Sequence, residues 1–165
     1  MKRLLFLLML LGAPVVLSAQ EAAPQDSVQQ ALPEHILFEG VEMKGDIYDF
    51  SKALQKRGFK LEERDGNSRN YIFRGDVCGR PTQFMVSFTR KTKTVYRIMA
   101  QLKNAPITDI LAALNAAYGE PFDINNRGYQ WQVPGGGVML GTPEGYDPTL
   151  VVMDAAGVAA YKEEN

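Results

Sequence analysis

The sequence predicts an α+β fold of two tandem repeats, each an amphipathic helix followed by an antiparallel β-meander, sharing one core. The first observation is internal repetition: the segment 47–59 (IYDFSKALQKRGF) returns sixty residues later as 107–122 (ITDILAALNAAYGEPF). The second is periodicity, because in both copies apolar residues recur at i, i+3 and i+7, as on one side of a helix. Alternating segments bounded by turn residues follow each copy, which is typical of antiparallel strands.

The amino terminus has the plan of a secretory signal peptide. Lys2 and Arg3 are basic, residues 4–11 form an apolar run, and the small residue Ala19 stands before Gln20. A basic start, an apolar centre and a small residue at the cleavage position are typical of exported proteins. We therefore expect cleavage after Ala19 or within a few residues of it, and an exported protein, either periplasmic or secreted.

The rest of the chain divides by composition. After the signal peptide of residues 1–19, residues 20–34 are polar and rich in Ala and Gln, which predicts a flexible leader. Residues 35–165 are predicted to form a single α+β domain, with repeat one at 35–105 and repeat two at 106–165. No other stretch approaches the roughly 18 apolar residues that a membrane-spanning helix needs, so we expect no membrane span in the mature chain.

Charge and cysteine content exclude several classes of protein. Once Lys2 and Arg3 are removed, 16 of the 18 basic residues remain against 19 acidic ones, a net charge near −3. Nucleic-acid binding needs a clustered positive surface, so no nucleic acid is expected as a partner. One cysteine, Cys78, and one histidine, His35, can build neither a disulfide framework nor a zinc site. No metal and no cofactor is expected.

Repeat one is predicted to start with a short extended segment at residues 36–43. Asp46 is placed to cap the first helix, and Gly58 can take the left-handed conformation that ends it. Four strands should follow, starting at Phe59, Tyr71, Gln83 and Val95 and separated by turns at 65–67, 78–81 and 90–94. The third strand alternates, with Phe84 on one face and Met85 on the other, so one face is expected to be buried.

Repeat two follows the same order. Its helix should end at Gly119, with Pro121 just beyond, because proline cannot continue a helix. Strands are predicted at 122–124, 129–131, 138–140 and 150–153. Residues 154–165 are interpreted as a short helix on a charged tail.

Catalytic chemistry finds little support in the sequence. Cys78 is the one possible thiol nucleophile, and His35 is the one histidine that could serve as its base. Two other interpretations of Cys78 stay open: it is a small residue packed at a hairpin, or it forms an intermolecular disulfide. Asp49 and Asp109 lie in the first turns of the two helices, where helix capping and the helix dipole account for them. We therefore expect no catalytic residue.

Aromatic residues of repeat two are the candidate partner-binding residues. Tyr129, Trp131 and Tyr146 lie among glycine-rich turns, and aromatic side chains are enriched at protein interfaces. The alternative is that Tyr129 and Trp131, two apart on one strand, face the core, because an antiparallel sheet commonly buries one face.

A set of core and turn residues carries a family resemblance. These positions are Phe38-Glu39-Gly40-Val41, Gly45, Phe50, Leu54 and Gly58-Phe59 in repeat one, with Leu114, Tyr118-Gly119 and Pro121 in repeat two. At them the sequence resembles small exported bacterial proteins built as tandem helix-plus-meander units. Their fold is similar to that of the beta-lactamase inhibitor protein and of small outer-membrane assembly lipoproteins.

The resemblance covers residues 36–124 and implies the two-repeat fold, with a sheet that serves as a binding surface. The chain differs from the assembly lipoproteins at Gln20, where they carry a lipidated cysteine, so a lipid anchor is not expected.

These observations favour an exported, non-enzymatic binding module that engages a protein or a cell-envelope component through its sheet face. Two alternatives belong to other classes. One is a small-molecule carrier with an apolar cleft between the helices and the sheet, and the other is an enzyme that depends on Cys78.

Overall fold

The computed structural model describes residues 34–65, 67–142 and 144–165. Within these residues it has three helices and ten strands, so the predicted α+β class is confirmed. The helices are α1 (Ile47–Lys56), α2 (Ile107–Tyr118) and α3 (Ala155–Glu164). The strands are β1 (Leu37–Phe38), β2 (Val41–Glu42), β3 (Lys60–Asp65), β4 (Asn70–Val77), β5 (Arg80–Phe88), β6 (Val95–Gln101), β7 (Asp123–Asn125), β8 (Gly128–Val133), β9 (Gly136–Gly141) and β10 (Thr149–Asp154). The predicted signal peptide and all of the predicted leader except Glu34 lie outside the described residues.

Eight of the strands form one antiparallel sheet in the order β3-β4-β5-β6-β10-β9-β8-β7. The chain therefore builds two four-stranded meanders that run inward from opposite edges and meet where β6 pairs with β10. The short hairpin of β1 and β2 forms a separate two-stranded sheet.

One face of the large sheet is buried beneath α1, α2 and the β1–β2 hairpin. Phe73 and Phe84 are paired across β4 and β5, and their rings stack with centroids 5.7 Å apart. Phe50 and Leu54 of α1 and Trp131 of β8 belong to the same core cluster. Full burial of each large apolar side chain stabilises the fold by about 1.5–3 kcal/mol.

The helix ends follow the sequence prediction closely. The carboxylate of Asp46 accepts hydrogen bonds from the backbone amides of Tyr48 and Asp49, both at 2.9 Å, so the predicted cap of α1 is confirmed. Gly58 and Gly119, which follow α1 and α2, both have positive φ angles, the conformation that glycine adopts without strain.

A buried carboxylate, Asp154, connects three segments of the fold. It has no exposed surface and accepts hydrogen bonds from the backbone amides of Ile36 at 3.1 Å and Gly157 at 2.8 Å. The ring Nδ1 of His35 lies 3.1 Å from its Oδ2 atom. One side chain thus joins the start of the described chain to the end of β10 and caps α3.

We expect Asp154→Ala to destabilise the protein strongly, because it leaves two buried amide donors without an acceptor. The free energy of unfolding should fall by about 2–5 kcal/mol in urea denaturation. Asp154→Asn should lose less, since its amide oxygen can still accept one bond. Asp76→Ala is the matched control, an exposed aspartate on β4, and should change stability by under about 0.5 kcal/mol. Equal losses in the alanine variants would contradict this role.

The carboxylate of Glu164 connects the end of α3 to the turn between β5 and β6 by hydrogen bonds. It accepts hydrogen bonds from the backbone amides of Lys91 at 2.7 Å and Thr92 at 2.9 Å. Desolvation by burial is the largest single influence and raises the pKa, but the hydrogen bonds from Lys91, Thr92 and Thr89 outweigh it together. They lower the pKa of Glu164 to about 2.

The stabilisation that Glu164 provides should therefore depend on pH. A carboxylate whose pKa is lowered by folding contributes fully above its ordinary value of 4.5, and its contribution disappears as the pH falls toward 2. We expect Glu164→Gln to lower the melting temperature at neutral pH and to differ progressively less from the wild type below pH 4.5. Glu163→Gln, at the neighbouring exposed residue, is the control. A difference that stays constant from neutral pH to about 2 would exclude the ionised carboxylate as its cause.

Candidate functional site

The three aromatic residues predicted to bind a partner occupy different environments. Trp131 is 2% exposed, and its indole Nε1 donates a hydrogen bond to the carbonyl of Gly119 at 2.8 Å. Tyr129 is half-buried against the core, with its ring 6.3 Å from that of Trp131. Tyr146, between β9 and β10, is 76% exposed. Trp131 is therefore a core residue in this structure, and partner binding by Tyr129 and Tyr146 stays a prediction.

Cys78 lies in the turn between β4 and β5, half-buried. Its backbone amide donates a hydrogen bond to the Glu39 carboxylate at 2.9 Å. Burial, and then the negative charge of Glu39, raise the pKa of the Cys78 thiol to about 12. The thiol is thus protonated at neutral pH, and His35, its predicted base, is occupied with Asp154 instead. This environment disfavours a nucleophilic thiolate.

A cleft of about 410 Å³ opens beside Cys78. Its walls come from α2, the β1–β2 turn and the sheet, with Leu37, Leu114 and Leu150 among the lining residues. The hydroxyl of Tyr118 crosses one side of the cleft and donates a hydrogen bond to the Leu37 carbonyl at 2.8 Å. The carrier alternative requires an apolar cleft between the helices and the sheet, and this cleft is lined by α2 but not by α1.

The opposite face of the large sheet carries an apolar row. Strand pairing aligns one residue from each strand along a line that crosses the whole sheet. In order from β3 to β7 the residues are Glu63, Ile72, Met85, Met99, Val151, Met139, Gln130 and Asp123. Its five central members are all apolar, and we call Ile72, Met85, Met99, Val151 and Met139 the open-face row.

The open-face row is accessible to solvent. Met99 and Met139 are each 37% exposed, and Met153, one row away, is 39% exposed. Ile72, Met85 and Val151 are half-buried between them. A contiguous exposed apolar patch commonly marks an interaction site, and flexible methionines suit an adaptable surface.

A shallow groove of about 530 Å³ lies over the β4–β6 end of this row. Its apolar floor includes Ile72, Met85 and Met99, and polar or basic side chains surround that floor. Of the basic ones, Arg74 forms an ion pair with Glu62, and its hydrogen bond holds the pKa of Glu62 below the ordinary value.

The open-face row cannot be recognised in the sequence alone. Alternation in β5 places Met85 on the face opposite Phe84, but the complete row exists only because β6 pairs with β10, and no local pattern encodes that pairing. The alternation of residues within each strand predicts which face of the sheet a side chain occupies, but it does not predict which strands are neighbours.

Comparison with protein-family models, curated proteins and solved structures finds no match to the chain. The resemblance to tandem-repeat proteins related in fold to the beta-lactamase inhibitor protein therefore stays a prediction. No helix among the described residues is long and apolar enough to cross a membrane. In the same part of the chain, no group of three or more His, Cys, Asp and Glu side chains is placed to hold a metal ion.

We expect Cys78 to react slowly with iodoacetamide in the folded protein at pH 8. With a pKa of about 12, few thiols are ionised at that pH, and burial restricts access. Mass spectrometry should show slow alkylation in buffer and rapid alkylation in urea. A native rate equal to that of the unfolded chain would contradict this environment and return Cys78 to consideration as a nucleophile.

Proposed function

We propose that this protein is an exported, non-enzymatic binding module that engages a protein of the cell envelope through the open face of its sheet. The observation that carries the proposal is the open-face row. Five adjacent apolar side chains cross the central strands, α1 and α2 pack on the other face, and α3 packs against β6, β9 and β10. Export rests on the sequence pattern of residues 1–19 alone.

We also propose that the two meanders derive from one duplicated helix-plus-meander unit. Two observations support it: the sequence similarity of 47–59 to 107–122, and a strand order that is mirrored about the junction of β6 and β10. Under this proposal Met85 and Met139 occupy equivalent places on either side of the junction. The binding surface would then be a product of the fusion, because each half contributes one part of the open-face row.

Substitutions in the open-face row test the proposed function. Met99→Glu and Met139→Glu place a carboxylate in the row without touching the core, so the fold should be kept and partner affinity should fall at least about tenfold. The partner would first be trapped by photo-crosslinking from a photoreactive methionine analogue and identified by mass spectrometry. Its affinity for the purified protein would then be measured by calorimetry.

Tyr48→Glu is the matched control, because Tyr48 is 51% exposed on α1, away from the open face. It should leave affinity unchanged. Loss of affinity in all three variants, or in none of them, would remove the open face as the binding site.

A small-molecule carrier is the second candidate, favoured by the cleft beside Cys78. Leu114, Ala117 and Leu150 give the cleft an apolar lining of a size that suits a small ligand. Native mass spectrometry of the purified protein would reveal a bound molecule, and Ala117→Trp should displace it by filling the cleft. A Cys78-dependent enzyme remains a weaker alternative, because the thiol is protonated at neutral pH.

A further inference from the structure

We infer that the partner segment seated on the open-face row is an acidic amphipathic helix. Its apolar side would contact the row, and Asp and Glu side chains on both flanks would contact Arg97 and Lys103. This inference rests on the proposed function, because it names the chemistry of the partner for that same surface. It follows from the charges that border the row and from the row's dimensions.

The central part of the open face is free of carboxylates. On strands β5, β6, β9 and β10, all of them within the described residues, Arg97 is the one charged side chain that faces outward. Arg97 is level with Ser87 and Met153, one row from Met99. Lys103, which lines the groove, lies just past the end of β6 on the other side of the open-face row.

Neither cation has an acidic partner. No described carboxylate forms an ion pair with Arg97 or Lys103. The guanidinium of Arg97 lies over the Tyr96 ring, 5.7 Å from its centroid, and donates one long hydrogen bond, 3.4 Å, to the hydroxyl of Ser87. Its buried Nε has no hydrogen-bond partner among the described residues. A guanidinium offers five donors and pairs most strongly with carboxylates. Arg74 differs, since Glu62 already neutralises it.

The spacing of the row suits a helix laid across the strands. Neighbouring strands are about 4.8 Å apart, close to the roughly 5.4 Å pitch of an α-helix, so one turn meets about one strand. Five row positions span about 19 Å, the length of about 13 helical residues. A helix of that length ends short of Glu63 and Asp123, whose carboxylates would repel its acidic flanks.

The two cations are placed to bracket such a helix. Arg97 lies on β6 one row from Met99, and Lys103 lies in the turn just past the end of β6, so the open-face row runs between them. A helix with side chains is about 10–12 Å wide, so extended Asp or Glu side chains on its two flanks reach toward one cation each. Apolar contact would supply affinity, and the two ion pairs would determine which helices bind.

The test uses three labelled helical peptides of about 13 residues. They share one stripe of Leu and Met at i, i+3, i+4 and i+7 and differ only in flanks of Glu, Lys or Gln. Fluorescence anisotropy with the full folded protein would give the affinity of each at low and high salt. The Glu peptide should bind most tightly and lose affinity as salt screens the charges.

Variants assign the contacts. Arg97→Gln and Lys103→Gln should each weaken the Glu peptide by about tenfold and leave the Gln peptide unchanged. Lys52→Gln, an exposed lysine on α1, is the matched control and should change nothing. Met99→Glu should weaken all three peptides, because it alters the apolar floor that they share.

Several results would overturn the inference: no binding of the Glu peptide, equal or tighter binding of the Lys or Gln peptide, or unchanged affinity in both charge variants. Self-association that Met99→Glu abolishes would also overturn it, by making a second copy the occupant. If the peptide experiments fail but Met99→Glu still weakens binding of the partner identified by crosslinking, the proposed function stands and only the acidic helix is wrong. If Met99→Glu binds that partner as tightly as the wild type, the proposed function itself fails.

Discussion

The pairing of β6 with β10 is the interaction on which the rest of the structure depends. It aligns Ile98 with Val152 on the buried face and Met99 with Val151 on the open face. Without it the chain would form two separate four-stranded meanders, each with one more edge to protect and a smaller buried face. The pairing thus completes the core, and its register also aligns the open-face row on the opposite face of the sheet.

That constraint couples stability to surface chemistry. Successive residues of a strand point to opposite faces, so a register that buries Ile98 and Ala100 must expose Met99 between them. A slip by one residue would exchange the faces, placing Arg97 and Met99 in the core. The open-face row therefore cannot shift by slippage between β6 and β10 without loss of the fold.

Much of the fold could be predicted from local sequence. Asp46 signals the start of α1 because its carboxylate can accept hydrogen bonds from the first-turn amides. Gly58 signals its end because a residue without a Cβ atom adopts a positive φ without strain, and the alternation around Phe84 gives the buried face of β5. These signals act within a few residues, so a pattern in one sequence captures them. The pairing of β6 with β10 could not be read in this way, because it joins segments about fifty residues apart and depends on the whole core.

The candidate site was less predictable than the fold, for the same physical reason. Asp154 carries no distinctive pattern, and its role appears only when His35, Ile36 and Gly157 meet it in space. The sequence left two interpretations of Trp131 open, an interface and a core, because both environments favour large rings; in the structure Trp131 is buried in the core. The proposed binding surface is an alignment of residues such as Met85 and Val151, neither of which is distinctive by itself.

The methionines of the open-face row also give the two faces of the sheet different sensitivities to oxidation. Oxidants convert an accessible thioether to a sulfoxide, which is polar and larger, and reductases can reverse the change. Met99 and Met139 of the row, and Met153 one row away, are each more than one-third exposed, whereas Met43 in the core has no exposed surface. Mild oxidation would therefore make the open face polar and leave the packing beneath α1 and α2 intact.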